Sequence, residues 1–293
     1  MKRLILAILT SVFFAASAGA QEMPADYKKV VEALGRGGDY KAGVLKVNVP
    51  RGMQVRVAGI ALPMAFGFSG WVAFTKGDTG MDVMMGDLVL LEDEVNPVMS
   101  ALLENGIGVT ALHNHFFWEQ PRVFYMHVHG HGQAEELAHK LKPALELIPN
   151  PVAVPGASSF AGQFDGTKLS AIIGQPGERL GTVYKITIGR DDIGLKEMGA
   201  TINARMGLNT WAAFYGSMND AVIAGDVAML ESEVTPVLKA LRQNGLEVVA
   251  IHHHMIGTQP VVIFLHYWGR GPAEKLASGF RAAIETTKAA PKK

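Results

Sequence analysis

The chain repeats itself, and the repeat limits what it can fold into. "LEDEVNPVMSALLENGIGVTALHNH" (Leu91 to His115) aligns without a gap to "LESEVTPVLKALRQNGLEVVAIHHH" (Leu230 to His254). The match continues through Gln120-Pro121 and Gln259-Pro260, then through "GHGQAEELA" from Gly130 and "GRGPAEKLA" from Gly269. Upstream, "GDLVLLE" from Gly86 matches "GDVAMLE" from Gly225, "WVAF" from Trp71 matches "WAAF" from Trp211, and "VLKVNVPR" from Val44 matches "VYKITIGR" from Val183. A fold for this chain must therefore be one unit built twice. The copies span residues 21–150 and 158–288. The Pro-rich stretch Ile148 to Ala157 joins them, with the linker proper at 151–157 and a disordered tail at 289–293.

Each copy reads as several strands, a helix, two strands and a closing helix. "GVLKVNV" alternates as a half-buried strand does. Two more strands follow, at "WVAF" and from Val83 to Leu91. Asn96-Pro97 and Thr235-Pro236 each place a capping side chain before a proline suited to the first helical position. Asn105-Gly106 and Asn244-Gly245 supply helix stops. Ile107 to His113 is the next strand, Arg122 to His129 pairs with it, and Gly132 to Leu147 is an amphipathic helix. This order predicts an α+β fold: two tandem copies of a mostly antiparallel sheet covered by helices, packed as a pseudo-dimer. A ferredoxin-like core fits the helix-strand-strand-helix portion.

The histidines carry the chemical signal. All ten lie between His113 and His139 or between His252 and His266. Six match pairwise: His113, His115 and His127 in the first copy, and His252, His254 and His266 in the second. Residues two apart on a strand share a face, and a hairpin brings the third histidine alongside. His129, His131, His139 and His253 have no histidine counterpart. Glu92 and Glu94, matched by Glu231 and Glu233, are candidates for a catalytic base or a fourth ligand. Asp87 and Asp226 also match, but an Asp after Gly reads more readily as a turn or cap residue. Trp71 and Trp211 read as core, and Arg51 and Arg190 as surface ion-pair residues.

A three-histidine and carboxylate set suits a divalent transition metal, zinc first and Cu, Mn, Fe or Ni as alternatives. Each copy holds a full set, so the expectation is two equivalent sites. A metal-dependent hydrolase would use such a centre to activate water. Two other readings stay open: a non-catalytic metal carrier or sensor, and a metal-free protein whose histidines hydrogen-bond a small-molecule or envelope-derived ligand. The "HNH" string at His113 to His115 lacks the basic context of the nuclease family that bears those letters. His113, His115 and Glu119 mimic the first cupin motif, but Thr258 replaces the glutamate in the second copy.

The remaining composition bounds the setting. Lys2 and Arg3, an apolar run from Leu4 to Ala16 and Ala18-Gly19-Ala20 predict a cleaved signal peptide over residues 1–20 and a periplasmic or secreted protein. Without a cysteine, any metal must be held by His, Asp or Glu. Charge is balanced, 27 basic against 27 acidic residues, which argues against nucleic acid as a partner. No membrane insertion is expected after signal cleavage.

The string from Gly86 to His115, with "FYMHVHG" and "FLHYWG", resembles the LppY/LpqO family, a domain of unknown function often found duplicated. The resemblance covers nearly the whole chain after residue 20. It implies an exported protein, and it implies no particular reaction. His253 in place of Asn114, and Arg242-Gln243 before the second Asn-Gly, set the second copy apart.

Overall fold

The computed structural model describes residues 21–149, 160 and 162–288. The expected signal peptide, linker and tail fall largely or wholly outside that range. The first copy runs α1 (Ala25–Leu34), β1 (Gly38–Lys41), β2 (Val44–Val49), β3 (Val55–Val57), β4 (Ile60–Leu62), β5 (Gly70–Lys76), β6 (Asp82–Leu91), α2 (Val95–Glu104), β7 (Gly108–His113), β8 (Glu119–Gln120), β9 (Val123–Gly132) and α3 (Ala134–Glu146). The second runs α4 (Gly166–Ile173), β10 (Gly177–Leu180), β11 (Val183–Gly189), β12 (Lys196–Glu197), β13 (Ala200–Thr201), β14 (Asn209–Gly216), β15 (Ala221–Leu230), α5 (Glu231–Gln243), β16 (Glu247–His252), β17 (Val262–Gly271) and α6 (Ala273–Ile284).

Each copy builds a six-stranded antiparallel sheet, ordered β1-β2-β5-β6-β9-β7 in the first and β10-β11-β14-β15-β17-β16 in the second. Within it, β6, α2, β7, β9 and α3 form a split β-α-β unit, with β9 between β6 and β7. That is the ferredoxin-like arrangement. The strand on the far side of β6 is β5, which precedes the unit instead of following α3.

Alternation along the strands gives each sheet two buried faces. Leu45, Val47, Val72, Phe74, Met84, Leu88, Met126 and Val128 pack under the first copy's helices. On α3, Leu137, Leu141 and Leu145 recur four residues apart and are buried. Each contributes about 1.5–3 kcal/mol by leaving water. The opposite faces pack against each other: Val89 and Tyr125 share a cluster with Val183, Tyr215 and Trp268, and Ala73 and Met85 share another with Leu208, Met255 and Phe264. The architecture is therefore helices, sheet, sheet, helices, with the two copies joined at the sheet faces away from the helices. Thr110 Oγ1 donates to the His254 carbonyl at 2.8 Å, and Arg205 pairs with Asp39 at 2.8 Å, both across this joint.

Two helix starts differ from expectation. α2 begins at Val95 and α5 at Glu231, so Pro97 and Pro236 lie inside the helices rather than at their first positions. The strand-to-helix turns are tied instead by glutamates: Leu91 N–H donates to Glu94 Oε2 at 2.8 Å and Leu230 N–H to Glu233 Oε2 at 2.9 Å. The Asn-Gly stops hold, with Asn105 and Asn244 at the C-caps and Gly106 and Gly245 at φ 73° and 75°.

Candidate functional site between the two sheets

One row of cross-strand neighbours crosses each sheet on the face turned toward the other copy. In the first copy it reads Asn48, Trp71, Asp87, His127, Ala111. In the second it reads Thr187, Trp211, Asp226, His266, Ala250. Directly paired residues point to the same side of a sheet. Each aspartate is thus set between a tryptophan and a histidine, inside the joint.

A β-bulge aims the next histidine. The β7–β9 register shifts between Val109 and Ala111, leaving Thr110 as the extra residue, and β16–β17 shifts identically between Val248 and Ala250. A one-residue shift exchanges the faces of everything beyond it. Val109 packs under the helices, and strict alternation from there would turn His113 the same way. The bulge turns it toward His252. His115 and His254 lie just past the strand ends, in bends, and are placed by stacking.

All six paired histidines are buried, none more than 9% exposed, and they interleave. His113 stacks on His252 with ring centroids 3.7 Å apart. His115 lies between Tyr125, at 3.3 Å, and His266, at 3.7 Å. His254 lies between Phe264, at 3.3 Å, and His127, at 3.9 Å. His113 Nε2 is 3.1 Å from His266 Nε2. Two groups of three, His113/His252/His266 and His127/His252/His254, each bring one ring nitrogen per residue within 4.8 Å of the others. Both groups draw on both copies. The expectation of one complete site per copy is therefore corrected: the sheets face each other, so each copy's histidines meet the other's.

The electrostatics favour neutral rings. Burial, reinforced by neighbouring histidines, holds His113, His115, His254 and His266 well below the usual histidine range, and burial does the same to His127. Burial pushes His252 down to about 4. Backbone carbonyls fix several tautomers, because a carbonyl only accepts. His266 Nδ1 faces the Gly225 carbonyl at 3.2 Å and His252 Nδ1 the His253 carbonyl at 3.2 Å, while the Gly86 carbonyl hydrogen-bonds the His127 ring. An Nδ1–H so engaged leaves Nε2 with a free lone pair. Among the described residues, Nε2 of His127 and of His252, and both ring nitrogens of His115 and His254, are buried without a hydrogen-bond partner.

The carboxylates beside these rings are Asp87 and Asp226, which the sequence reads as turn residues. They sit mid-strand. Asp226 Oδ2 is 3.7 Å from His254 Nε2, and its Oδ1 accepts the Leu265 N–H at 3.2 Å. Burial pushes Asp87 up to about 8, against the pull of Lys46, and raises Asp226 well above the carboxylate range. Their signal was an acid in the middle of an apolar run, "VMMGDLVLL" and "VIAGDVAML", repeated in both copies.

Two of the four expected catalytic glutamates are held in ion pairs. Glu94 takes Arg51 at 2.8 Å and Glu233 takes Arg190 at 3.0 Å, besides their backbone contacts. Glu92 and Glu231 are exposed. Arg51 and Arg190 are not surface residues: they are 6% and 0% exposed, so their ion pairs are buried. Among the unmatched histidines, His131, His139 and His253 are exposed, and His129 pairs with Glu197 at 2.9 Å.

A cleft of about 870 Å³ opens onto this cluster, with His115, His254, His266, Asp87 and Asp226 in its lining and Trp71 and Trp211 as walls. Each tryptophan is backed by a glycine of the other copy. A Cβ on Gly207 would lie 3.1 Å from Trp71, and one on Gly67 would lie 3.4 Å from Trp211. Both glycines have positive φ, 93° and 128°, so close approach and backbone conformation require glycine there. Among the described residues no helix is long and apolar enough to cross a membrane.

No curated protein matches the sequence. Among solved structures, similarity extends to EtuB from Clostridium kluyveri, at 6% identity over 84% of this chain and 89% of that one, with a TM-score of 0.21. It extends also to the trimeric bacterial microcompartment shell protein PduB, at 11% identity over 85% and 91%, TM-score 0.21. Likenesses at that level carry no argument about function. A family model matches twice, over residues 28–147 and 167–286, and so covers most of the chain. The chain belongs to the family described as Domain of Unknown Function (DUF1259), present here in two copies.

Proposed function

We propose that the paired histidines form one divalent transition-metal centre shared by the two repeats, zinc first and Cu, Mn, Fe or Ni as alternatives, and that the centre serves a hydrolase. The single observation that carries the metal reading is the set of buried, partnerless ring nitrogens at convergent distances. Burying a polar atom without a partner costs about 1–3 kcal/mol each, and several such atoms aimed at one another are the arrangement a metal ion relieves. His113, His252 and His266, or His127, His252 and His254, would hold it. A bound divalent ion supplies Lewis acidity and lowers the pKa of water near it.

The chain's own residues favour an enzyme over a carrier. The cleft gives a substrate access to the cluster, and Asp87, raised by burial in the metal-free protein, stands beside the rings with an Oδ1 that has no hydrogen-bond partner among the described residues, placed to hold or release a proton. The non-catalytic carrier or sensor remains the second reading, favoured by how little of any histidine is exposed. In this reading the protein works outside the cytoplasm, which the resemblance to LppY/LpqO proteins supports.

The test is reconstitution. Protein purified without chelator, then loaded in turn with Zn²⁺, Cu²⁺, Mn²⁺, Fe²⁺ and Ni²⁺, should take up one of them at near-stoichiometric level. The loaded protein should cleave p-nitrophenyl acetate or p-nitrophenyl phosphate, and Asp87→Asn should lower turnover while keeping the metal. Uptake with no cleavage would leave the carrier reading, and no uptake of any metal would refute the centre.

A further inference from the structure

Among the cations that line the cleft beside the histidines are two lysines that, among the described residues, form no ion pair. Lys46 of β2 and Lys185 of β11 are the same position in the two copies, and both line the cleft. Both are half-buried. The Lys46 ammonium rests 4.1 Å over the Trp71 ring and the Lys185 ammonium 4.4 Å over the Trp211 ring. Among the described residues neither forms an ion pair or a hydrogen bond. The acid that β1 places opposite Lys46, Asp39, is committed to Arg205. Glu178, opposite Lys185 across β10–β11, is exposed and makes no ion pair among the described residues, though its charge and that of Asp226 favour the charged lysine. The remaining acids facing the cleft, Asp87 and Asp226, lie at its floor among the histidines.

Two half-buried ammoniums lining one cleft are a costly arrangement, because burial and like charge both penalise the charged form. Burial lowers both lysines, and Lys185 and Arg205 add to it at Lys46, held down to about 8 against the pull of Asp87. Cation–π contact offsets only part of that. An anion between them would remove the repulsion and use the charge. We propose that the cleft binds a small oxyanion-bearing molecule, a carboxylate or a phosphate, whose anionic group is held between Lys46 and Lys185 over the two tryptophans. The rest of the molecule then extends toward His115, His254 and His266. As a substrate class this rests on the hydrolase reading above; as an anion site it stands without a metal.

The experiment titrates metal-free and zinc-loaded protein with orthophosphate and, separately, with succinate, by calorimetry at pH 7 and low salt. The variants are Lys46→Met, Lys185→Met, the double variant, and Lys275→Met on the exposed face of α6 as control. One of the two anions should saturate the wild type, phosphate marking a phosphate-bearing ligand and succinate a carboxylate. Each single variant should bind it at least tenfold more weakly and the double variant at least a hundredfold, with Lys275→Met unchanged. Zinc content should not change in any variant, which separates failure here from failure of the metal centre. Independently of how the variants fold, the saturating anion should protect Lys46 and Lys185 of the wild type from acetic anhydride, read by peptide mass. Saturation of the wild type by neither anion, equal binding by the double variant, or unprotected lysines would overturn the proposal.

Discussion

His113 and His252, the same position in the two repeats, stack face to face with ring centroids 3.7 Å apart. Around them the outer histidines pair crosswise, His115 on His266 and His254 on His127. The arrangement is close to two-fold, yet the candidate ligand groups are not. His252 belongs to both groups, whereas His115 belongs to neither.

That asymmetry ranks the single substitutions. His252→Ala should weaken zinc binding the most, by at least a hundredfold. His115→Ala should weaken it by about tenfold, the low end for losing a supporting residue near a metal. Competition titration against a chromophoric chelator measures both. Equal losses in the two variants would mean the ring nitrogens rearrange on binding.

Protonation gives the metal-free protein a stability maximum. The six histidines have lowered values in the folded state, so below about pH 6.5 the unfolded chain binds more protons and stability falls as pH falls. Each histidine that titrates only on unfolding contributes about 1.4 kcal/mol per pH unit. Several together suffice to unfold a domain of ordinary stability by about pH 5. Asp87 and Asp226 act oppositely. Their raised values mean the folded state binds more protons above the ordinary carboxylate range, so stability also falls as pH rises toward 8. Urea unfolding in chelator from pH 4.5 to 8.5 should therefore peak near pH 6.5, and a profile flat from pH 5 to 8 would rule this out.

Glu94 and Glu233 should prove to be stability residues. Arg190→Met leaves Glu233 buried and unpaired and should cost about 3–5 kcal/mol, and Arg51→Met should act the same way through Glu94. Neither should alter metal content in the fraction that stays folded. Loss of metal without loss of stability, by urea titration beside elemental analysis, would return these glutamates to the centre.

Much of this was legible in the sequence, for identifiable reasons. The duplication, the strands at Val44 and Trp71 and the stops at Gly106 and Gly245 are local patterns, so the repeated string exposes them. The six paired histidines are visible because their matching positions separate them from His131, His139 and His253. The bulges at Thr110 and Val249 are not visible, since a bulge inserts a residue without changing composition. Nor does a single copy show that its histidines face another copy's. A single copy therefore suggests separate sites, whereas the candidate groups draw on both copies. Glu94 looked chemical because the sequence does not reveal that Arg51 is folded inward beside it. Asp87 looked like a turn because the glycine before it outweighed the apolar residues around both.

The shared centre is tested most directly by elemental analysis of two double variants beside the wild type. One is His113→Ala/His127→Ala, confined to the first copy, and the other is His252→Ala/His266→Ala, confined to the second. Each removes ligands from both composite groups. A shared centre requires that either variant, still folded by circular dichroism, lose essentially all of its metal. Retention of half the wild-type metal in each variant would contradict it, because two self-sufficient sites behave that way.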